Sequence, residues 1–312
     1  MIWLIGSGLM SVDYAKVLDA QDCTYQVIGR GSESAKAFTE KTGKPVICGG
    51  LAQHISMSSQ MADAAIVSVG VAQLYETTKQ LIKAGVKKIL VEKPGSTTLA
   101  EIEELCQLSA KHSVAVYIAY NRRFYSSVQA AKELIQREGG VTSFHFEFTE
   151  WSHIIKHLQK PRDVLNKWFL ANSTHVTDLA FFLGGKPKNI SCYISGSLEW
   201  HDSSSVFSGA GVSTTGALFS YNANWESAGR WSLEVLTKKN KYIFQPVESL
   251  KVQKRGELSI SDAEVDYKFD MEYKPGLYHQ VKSFLDNDEN SLCSLCEQAK
   301  LMSIYNQMAG YK

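Results

Sequence analysis

The chain has 312 residues, of which 44% are hydrophobic, 21% charged and 11% aromatic. That is the composition of a folded, water-soluble chain, not of a disordered or low-complexity one, and at roughly 150 residues per domain it suggests two domains. Thirty-three basic residues against 32 acidic ones leave a formal charge of +1, too weak a field to hold a polyanion, so no nucleic-acid partner is expected. The apolar runs are too short to span a bilayer, so no membrane partner is expected either. Six cysteines are too sparse for a disulfide framework, and no signal-peptide pattern precedes them; a reducing cytoplasm is the expected location.

The chain opens into a strand, Ile2-Trp3-Leu4-Ile5, followed by Gly6-Ser7-Gly8-Leu9-Met10-Ser11 and a helical segment over 12–18. A second strand follows at 25–28. Strand, glycine turn, helix and strand within about 30 residues make the unit that binds dinucleotides. Gly6 permits the tight turn, and Gly8 lets the backbone approach a pyrophosphate. Ser7, Leu9 and Met10 place their amides at the helix start, where the dipole favours an anion. Ser11 stands at the third glycine position and is still small.

The second strand ends in Gly29-Arg30-Gly31-Ser32. An acidic side chain there would hold the ribose 2′-hydroxyl of NAD. None is present, whereas a guanidinium at Arg30, with Ser32 beside it, suits a 2′-phosphate. NADP is therefore the expected cofactor, with NAD as the alternative. Strands at 64–69, 88–91 and 114–119 then alternate with helices at 74–84 and 99–112, which implies a parallel sheet covered on both faces. Glu92-Lys93-Pro94 and Tyr120-Asn121-Arg122-Arg123 follow the carboxyl ends of two of these strands, where such sheets bind ligands.

Past residue 120 the pattern changes. A helix is expected over 128–137. Over 141–149, Phe144, Phe146 and Phe148 alternate with Ser143, His145 and Glu147, as in a half-buried strand. One long helix is expected over 165–183, bearing His175 and Asp178. Strands at 190–194, 216–223, 231–236, 241–245, 251–253 and 263–269 indicate an open, mostly antiparallel sheet, and helices at 277–285 and 297–308 close the chain. The Ser/Gly-rich stretch 196–213 reads as a mobile loop. An open sheet has a face to cover, so a homodimer or homotetramer is expected. The fold is thus expected to be α/β, with a Rossmann domain over 1–120 and an α+β domain over 121–312 that binds substrate and self-associates. Cys293-x-x-Cys296 lies in the helical tail and reads as ordinary cysteines. His153 and His157 share a helical spacing but lack any zinc-motif context, so no metal is expected.

The glycine turn, Glu92-Lys93-Pro94, Asn121-Arg122-Arg123 and His175-x-x-Asp178 together resemble the Gfo/Idh/MocA oxidoreductases over most of the chain. Asn172-Ser173-Thr174-His175, Trp225, Gly229-Arg230-Trp231 and Lys274-Pro275-Gly276-Leu277-Tyr278 are similar to members associated with bacterial surface-polysaccharide sugars. The resemblance implies hydride transfer between a nicotinamide and a secondary alcohol or ketone of a sugar, polyol or nucleotide-sugar. Family alternatives are NAD-assisted glycoside hydrolysis and a non-catalytic cofactor sensor. By the resemblance, Lys93 and His175 are catalytic and meet in a cleft between the domains. His175 would serve as the acid/base and Lys93 would polarise the developing alkoxide. Glu92 would shape the lysine turn, and Asn121 would contact nicotinamide or substrate. Val69 and Gly70 would offer the cofactor mainly backbone. Tyr120, Arg122, Arg123, Asn172 and Asp178 complete the candidate substrate set, with Trp151, His153, Lys167, Trp168 and Tyr278 as further contacts. Lys156, Lys160 and Arg162 join the two arginines as candidate phosphate ligands. The chain departs from the family at Ala171, where many members carry Asp.

Overall fold

A computed structural model describes residues 1–311. The chain folds as two compact units: Met1–Asn121 with Asp270–Lys300, and Arg122–Phe269 with the segment from Leu301 onward.

The first unit alternates strand and helix: β1 (Ile2–Ile5), α1 (Leu9–Ala20), β2 (Tyr25–Ile28), α2 (Ser32–Thr42), β3 (Val46–Ile47), α3 (Gly50–Met57), β4 (Ala64–Val67), α4 (Leu74–Ala84), β5 (Lys88–Glu92), α5 (Leu99–His112) and β6 (Ala115–Ala119). β1 and β4 are buried on both faces, as a doubly covered sheet demands. These six strands run parallel in the order β6-β5-β4-β1-β2-β3. The order reverses between β1 and β4. The glycine turn leaves β1 and the Val69-Gly70 turn follows β4, so both border the switch point where such sheets take ligands.

The second unit begins with α6 (Ser126–Arg137), β7 (Ser143–Glu147), α7 (Ser152–Ile155), α8 (Arg162–Asn166) and α9 (Thr174–Gly184). Then come β8 (Pro187–Ser195), β9 (Val206–Ser213), β10 (Leu218–Asn224), β11 (Ser232–Leu236), β12 (Asn240–Phe244), β13 (Lys251–Lys254) and β14 (Ser261–Asp262). The strands form one sheet, β14-β13-β12-β11-β7-β10-β9-β8, antiparallel except for the β7–β10 pair. The alternation in β7 does what period two requires. Phe144, Phe146 and Phe148 are buried, and the Phe144 and Phe146 rings meet Phe181 of α9 at 6.4 and 5.6 Å.

The chain closes with α10 (Lys268–Glu272), α11 (Leu277–Asp286), β15 (Cys293–Ser294) and α12 (Leu295–Ala309). Residues 270–300, expected in the second domain, belong to the first unit instead. β15 adds antiparallel to β6, and α11 packs on α1 with Leu277, Val281 and Phe284 fully buried.

Further expectations are corrected. The single helix over 165–183 is interrupted: α8 ends at Asn166, and Phe169–Ser173 form a π-helical turn before α9. The π turn opens the hydrogen-bond ladder, and the Phe169 N–H goes to the hydroxyl of Tyr311 at 3.1 Å. The loop expected over 196–213 is a strand in its second half, β9. Gly209 and Gly211 are there for close approach, not mobility. A Cβ at either would lie 2.5–2.6 Å from the ring of Tyr221 or Phe219 on β10. The strand expected over 263–269 gives way to the start of α10, because the Asp266 carboxylate accepts the Lys268 N–H at 2.9 Å. Cys293 and Cys296, assigned together to a helical tail, separate. Cys293 lies in β15, and Cys296 opens α12 with its Sγ 2.7 Å from that of Cys106. Among the described residues no helix is long and apolar enough to cross a membrane, and no three His, Cys, Asp or Glu side chains cluster as metal ligands.

Candidate active site

In the first unit the site is built of backbone. Gly6 sits at φ +119°, and a Cβ there would lie 2.6 Å from the carbonyl oxygen of Ser68. Ser11, fully buried at the third glycine position, meets the Ser68 hydroxyl at 2.8 Å and so ties the α1 start to the end of β4. Gly8 is the N-cap of α1. No side chain caps this helix and no acid lies in its first turn. A Cβ at Gly8 would meet no heavy atom within 4 Å. Open space over uncapped amides is the geometry a pyrophosphate fits. Ser7 donates to Ser34 at 3.0 Å, Met10 is half-buried and Leu9 is exposed. Arg30 and Ser32 are both exposed, Arg30 at the end of β2 and Ser32 at the start of α2. Val69 is half-buried and Gly70 exposed, ahead of a short turn into α4.

Glu92-Lys93-Pro94 leaves β5 with a cis Lys93–Pro94 peptide. The turn is held from several sides. Tyr14, fully buried on α1, donates to the Glu92 carboxylate at 2.8 Å. Gln298 on α12 donates to the Pro94 carbonyl at 2.9 Å. Burial raises the Glu92 carboxyl above its ordinary pKa, against the Tyr14 hydrogen bond and the charge of Lys93. Lys93 itself is half-buried. Tyr14 and Gln298 carry no signal in the sequence; they lie 78 and 204 residues from their partners, beyond any local pattern. Asn121 is largely buried and donates to the Pro275 carbonyl at 2.9 Å. The Gln280 side-chain oxygen accepts from the amides of Tyr120 and Asn121, and Tyr120 is 1% exposed.

In the second unit the site is built of side chains. His175 lies in the first turn of α9, half-buried, with its ring 6.0 Å from that of Trp231. Arg123 and Asp178 form a buried bidentate pair at 2.8 and 2.5 Å. That pairing gives each of them a partner within the protein. Asn172 donates to Glu150 at 2.8 Å, as does Ser173, and Arg230 pairs with the other Glu150 oxygen at 3.1 Å. Glu150 is 1% exposed, and burial raises its pKa against those three partners. A buried carboxylate thus stands beside Asn172, although position 171 lacks one. Sequence reasoning does not find it, since Glu150 reaches Asn172 and Arg230 across 22 and 80 residues.

Of the other candidates, Trp151, His153 and Lys156 line a cleft of about 820 Å3 with Trp200 and Glu226. Trp168 is mostly buried, Lys167 lies over the Tyr311 ring at 4.1 Å, and Arg162 donates to the Glu199 carbonyl. Tyr278 packs on Tyr273 in the first unit. His157 and Lys160 are exposed.

Residues 1–120 match the model of the oxidoreductase family with an NAD-binding Rossmann fold. An uncharacterized oxidoreductase of Escherichia coli (strain K12), YhhX, is 30% identical over 118 residues. That match spans 37% of this chain and 33% of the relative, about a third of its length. Among solved structures, levoglucosan dehydrogenase in complex with NADH and L-sorbose superposes with a TM-score of 0.81 at 16% identity, covering 99% of this chain and 95% of that one. UDP-N-acetylglucosamine 3-dehydrogenase GnnA from Acidithiobacillus ferrooxidans gives 0.76 at 14% identity, covering 99% and 96%. Both likenesses establish the two-part fold. The class defined by the first unit is a dinucleotide-binding Rossmann domain. The likeness to the Gfo/Idh/MocA oxidoreductase family lies in residues 1–120.

Proposed function

We propose that the protein is an NADP(H)-preferring oxidoreductase acting on a secondary alcohol or ketone of a sugar, polyol or nucleotide-sugar. The observation that carries this reading is the uncapped α1 start with open space over Gly8, at the switch point of a parallel sheet, followed by the Glu92-Lys93-Pro94 turn. Nicotinamide held there supplies the hydride acceptor or donor. The amides of Leu9 and Met10 bind the pyrophosphate, and Arg30 with Ser32 takes the 2′-phosphate. Lys93 holds the substrate oxygen and stabilises negative charge on it, while His175 takes or returns the hydroxyl proton. The carbohydrate class is supported by the names of the two structural relatives, both sugar dehydrogenases. We infer a homo-oligomer formed through the sheet face carrying His145, Tyr193, Ser208 and Ser220.

The test is turnover across a sugar panel with NADP and NAD. Lys93→Met and His175→Ala should each lower kcat by at least about 100-fold, within the usual range for acid–base groups, and leave NADPH binding intact. Full activity in either variant overturns the mechanism. Arg30→Ala should lose the preference for NADP; an unchanged ratio removes Arg30 from the cofactor site. Free sugar released without net reduction would instead indicate glycoside hydrolysis.

A further inference from the structure

The second unit holds a stack in which rings and guanidiniums alternate. Arg230 lies 4.9 Å from the Trp151 ring centre and 4.7 Å from that of Trp231. Arg122 lies 4.8 Å from Trp231 and 5.8 Å from Tyr125. The order is Trp151, Arg230, Trp231, Arg122, Tyr125, with the His175 ring 6.0 Å from the central indole. Aromatic faces attract cations but satisfy none of their N–H groups.

The two arginines differ in what compensates them. Arg230 has Glu150 at 3.1 Å. Arg122 makes no hydrogen bond or ion pair through its guanidinium to any described residue, and its Nε is fully buried without an acceptor. The indole Nε1 of Trp231, a residue 5% exposed, is likewise buried without one. The nearby charges are Glu150, Glu248 and Arg230, and burial holds the Arg122 guanidinium below its ordinary pKa. Orphaned donors on a buried cation are costly unless an acceptor arrives. The rest of the Arg122 side chain is only partly buried, so an acceptor can reach it.

We propose that Arg122 and Arg230, stacked on Trp231, dock an anionic group of the substrate, a carboxylate or a phosphate borne on the sugar that His175 addresses. The inference rests on the oxidoreductase reading above and adds a substrate class to it. A planar guanidinium fork matches either group in a bidentate way, which a lysine cannot reproduce. The central indole fixes both forks and leaves their edges for hydrogen bonding.

The experiment is isothermal titration calorimetry of the full-length protein with NADPH bound. The probes are D-glucose, D-glucuronate, D-glucose 1-phosphate and inorganic phosphate. At least one anionic probe is expected to bind tenfold or more tightly than glucose, and to weaken with added salt. Glucuronate above glucose 1-phosphate identifies a carboxylate, and the reverse order a phosphate. Arg122→Gln should abolish the anion preference, and Arg122→Lys should restore it in part; a thermal melt of each shows that the fold is retained. Equal affinity for glucose and both anionic sugars overturns the proposal, as does absence of any Arg122-dependent anion binding. Failure of the underlying reading looks different: Lys93→Met would keep full turnover whatever the anion result.

Discussion

The two units build their candidate sites from opposite materials. In the first, the candidate surface is main chain: a glycine turn, an uncapped helix start and a peptide turn held by Tyr14 and Gln298. In the second it is side chains, with His175, Glu150, Arg230, Trp231 and Arg122 brought together from well-separated parts of the chain. A backbone site is damaged by adding atoms, because its donors cannot be deleted but can be displaced or covered. A side-chain site is damaged by removing atoms, because each deletion leaves a buried partner unsatisfied.

The largest expected effect breaks the first half of that comparison if it fails. Gly6→Ala forces a Cβ into a positive-φ position, 2.6 Å from a backbone oxygen. It should cost about 3 kcal/mol or more, or prevent folding. Gly8→Ala adds the same methyl where nothing stands within 4 Å, at ordinary extended backbone. Its thermal midpoint should stay within the effect of about 1 kcal/mol, while NADPH affinity falls tenfold or more in a fluorescence titration. Normal cofactor affinity in Gly8→Ala would mean that the open space over that glycine is not the pyrophosphate cradle.

The second test addresses the side-chain half. Asp178→Ala removes the bidentate carboxylate from Arg123, whose side chain is 3% exposed, and should cost about 3–5 kcal/mol by chemical denaturation. The double variant Arg123→Met, Asp178→Leu removes both charges and should recover most of that loss. If the single change is mild, Asp178 is not chiefly the partner of Arg123, and a substrate or His175 role returns for it.

What can be read from the chain follows the same division. The glycine turn, Arg30 and the sheet that presents them are local in sequence, so spacing alone picks them out, whereas Lys93 stands out only through the family resemblance of Glu92-Lys93-Pro94. The alternation of Phe144, Phe146 and Phe148 is likewise enough to place β7. Glu150 carries no local signal, because its meaning comes from Asn172 and Arg230 across the fold. Arg123 and Asp178 look like ligand contacts in sequence, and only the fold pairs them in the core. Gly209 and Gly211 look like loop residues, since only their cross-strand neighbours, the Ser191 and Asn189 carbonyls and the rings of Tyr221 and Phe219, explain why a strand needs them. Residues 270–300 follow the second domain in sequence, yet they complete the first unit's sheet through β15.

A smaller effect is expected at Tyr311. Its hydroxyl accepts the Phe169 N–H at the start of the π turn and lies 2.6 Å from Nε2 of His201, whose pKa burial lowers to about 4. Tyr311→Phe should cost about 1–3 kcal/mol and speed hydrogen exchange at the Phe169 amide. Unchanged protection there would show that the π turn is held by α8 and α9 alone.

The smallest effect separates burial from ion pairing at Glu150. Burial raises its carboxyl above the ordinary 4.5, and Ser173, Arg230 and Asn172 oppose that shift without cancelling it. The folded state therefore binds this proton more tightly than the unfolded chain does. The resulting stability is fully present below 4.5, declines as pH rises through that value, and is gone above the folded-state pKa. Glu150→Gln should flatten that decline in denaturation free energies measured from pH 4 to 8. The opposite sign, a wild type that gains stability over this range and a variant that does not, would show that Arg230 outweighs burial. Glu150 would then be a fixed negative charge that fully neutralises Arg230, leaving Arg122 as the sole uncompensated cation of the stack.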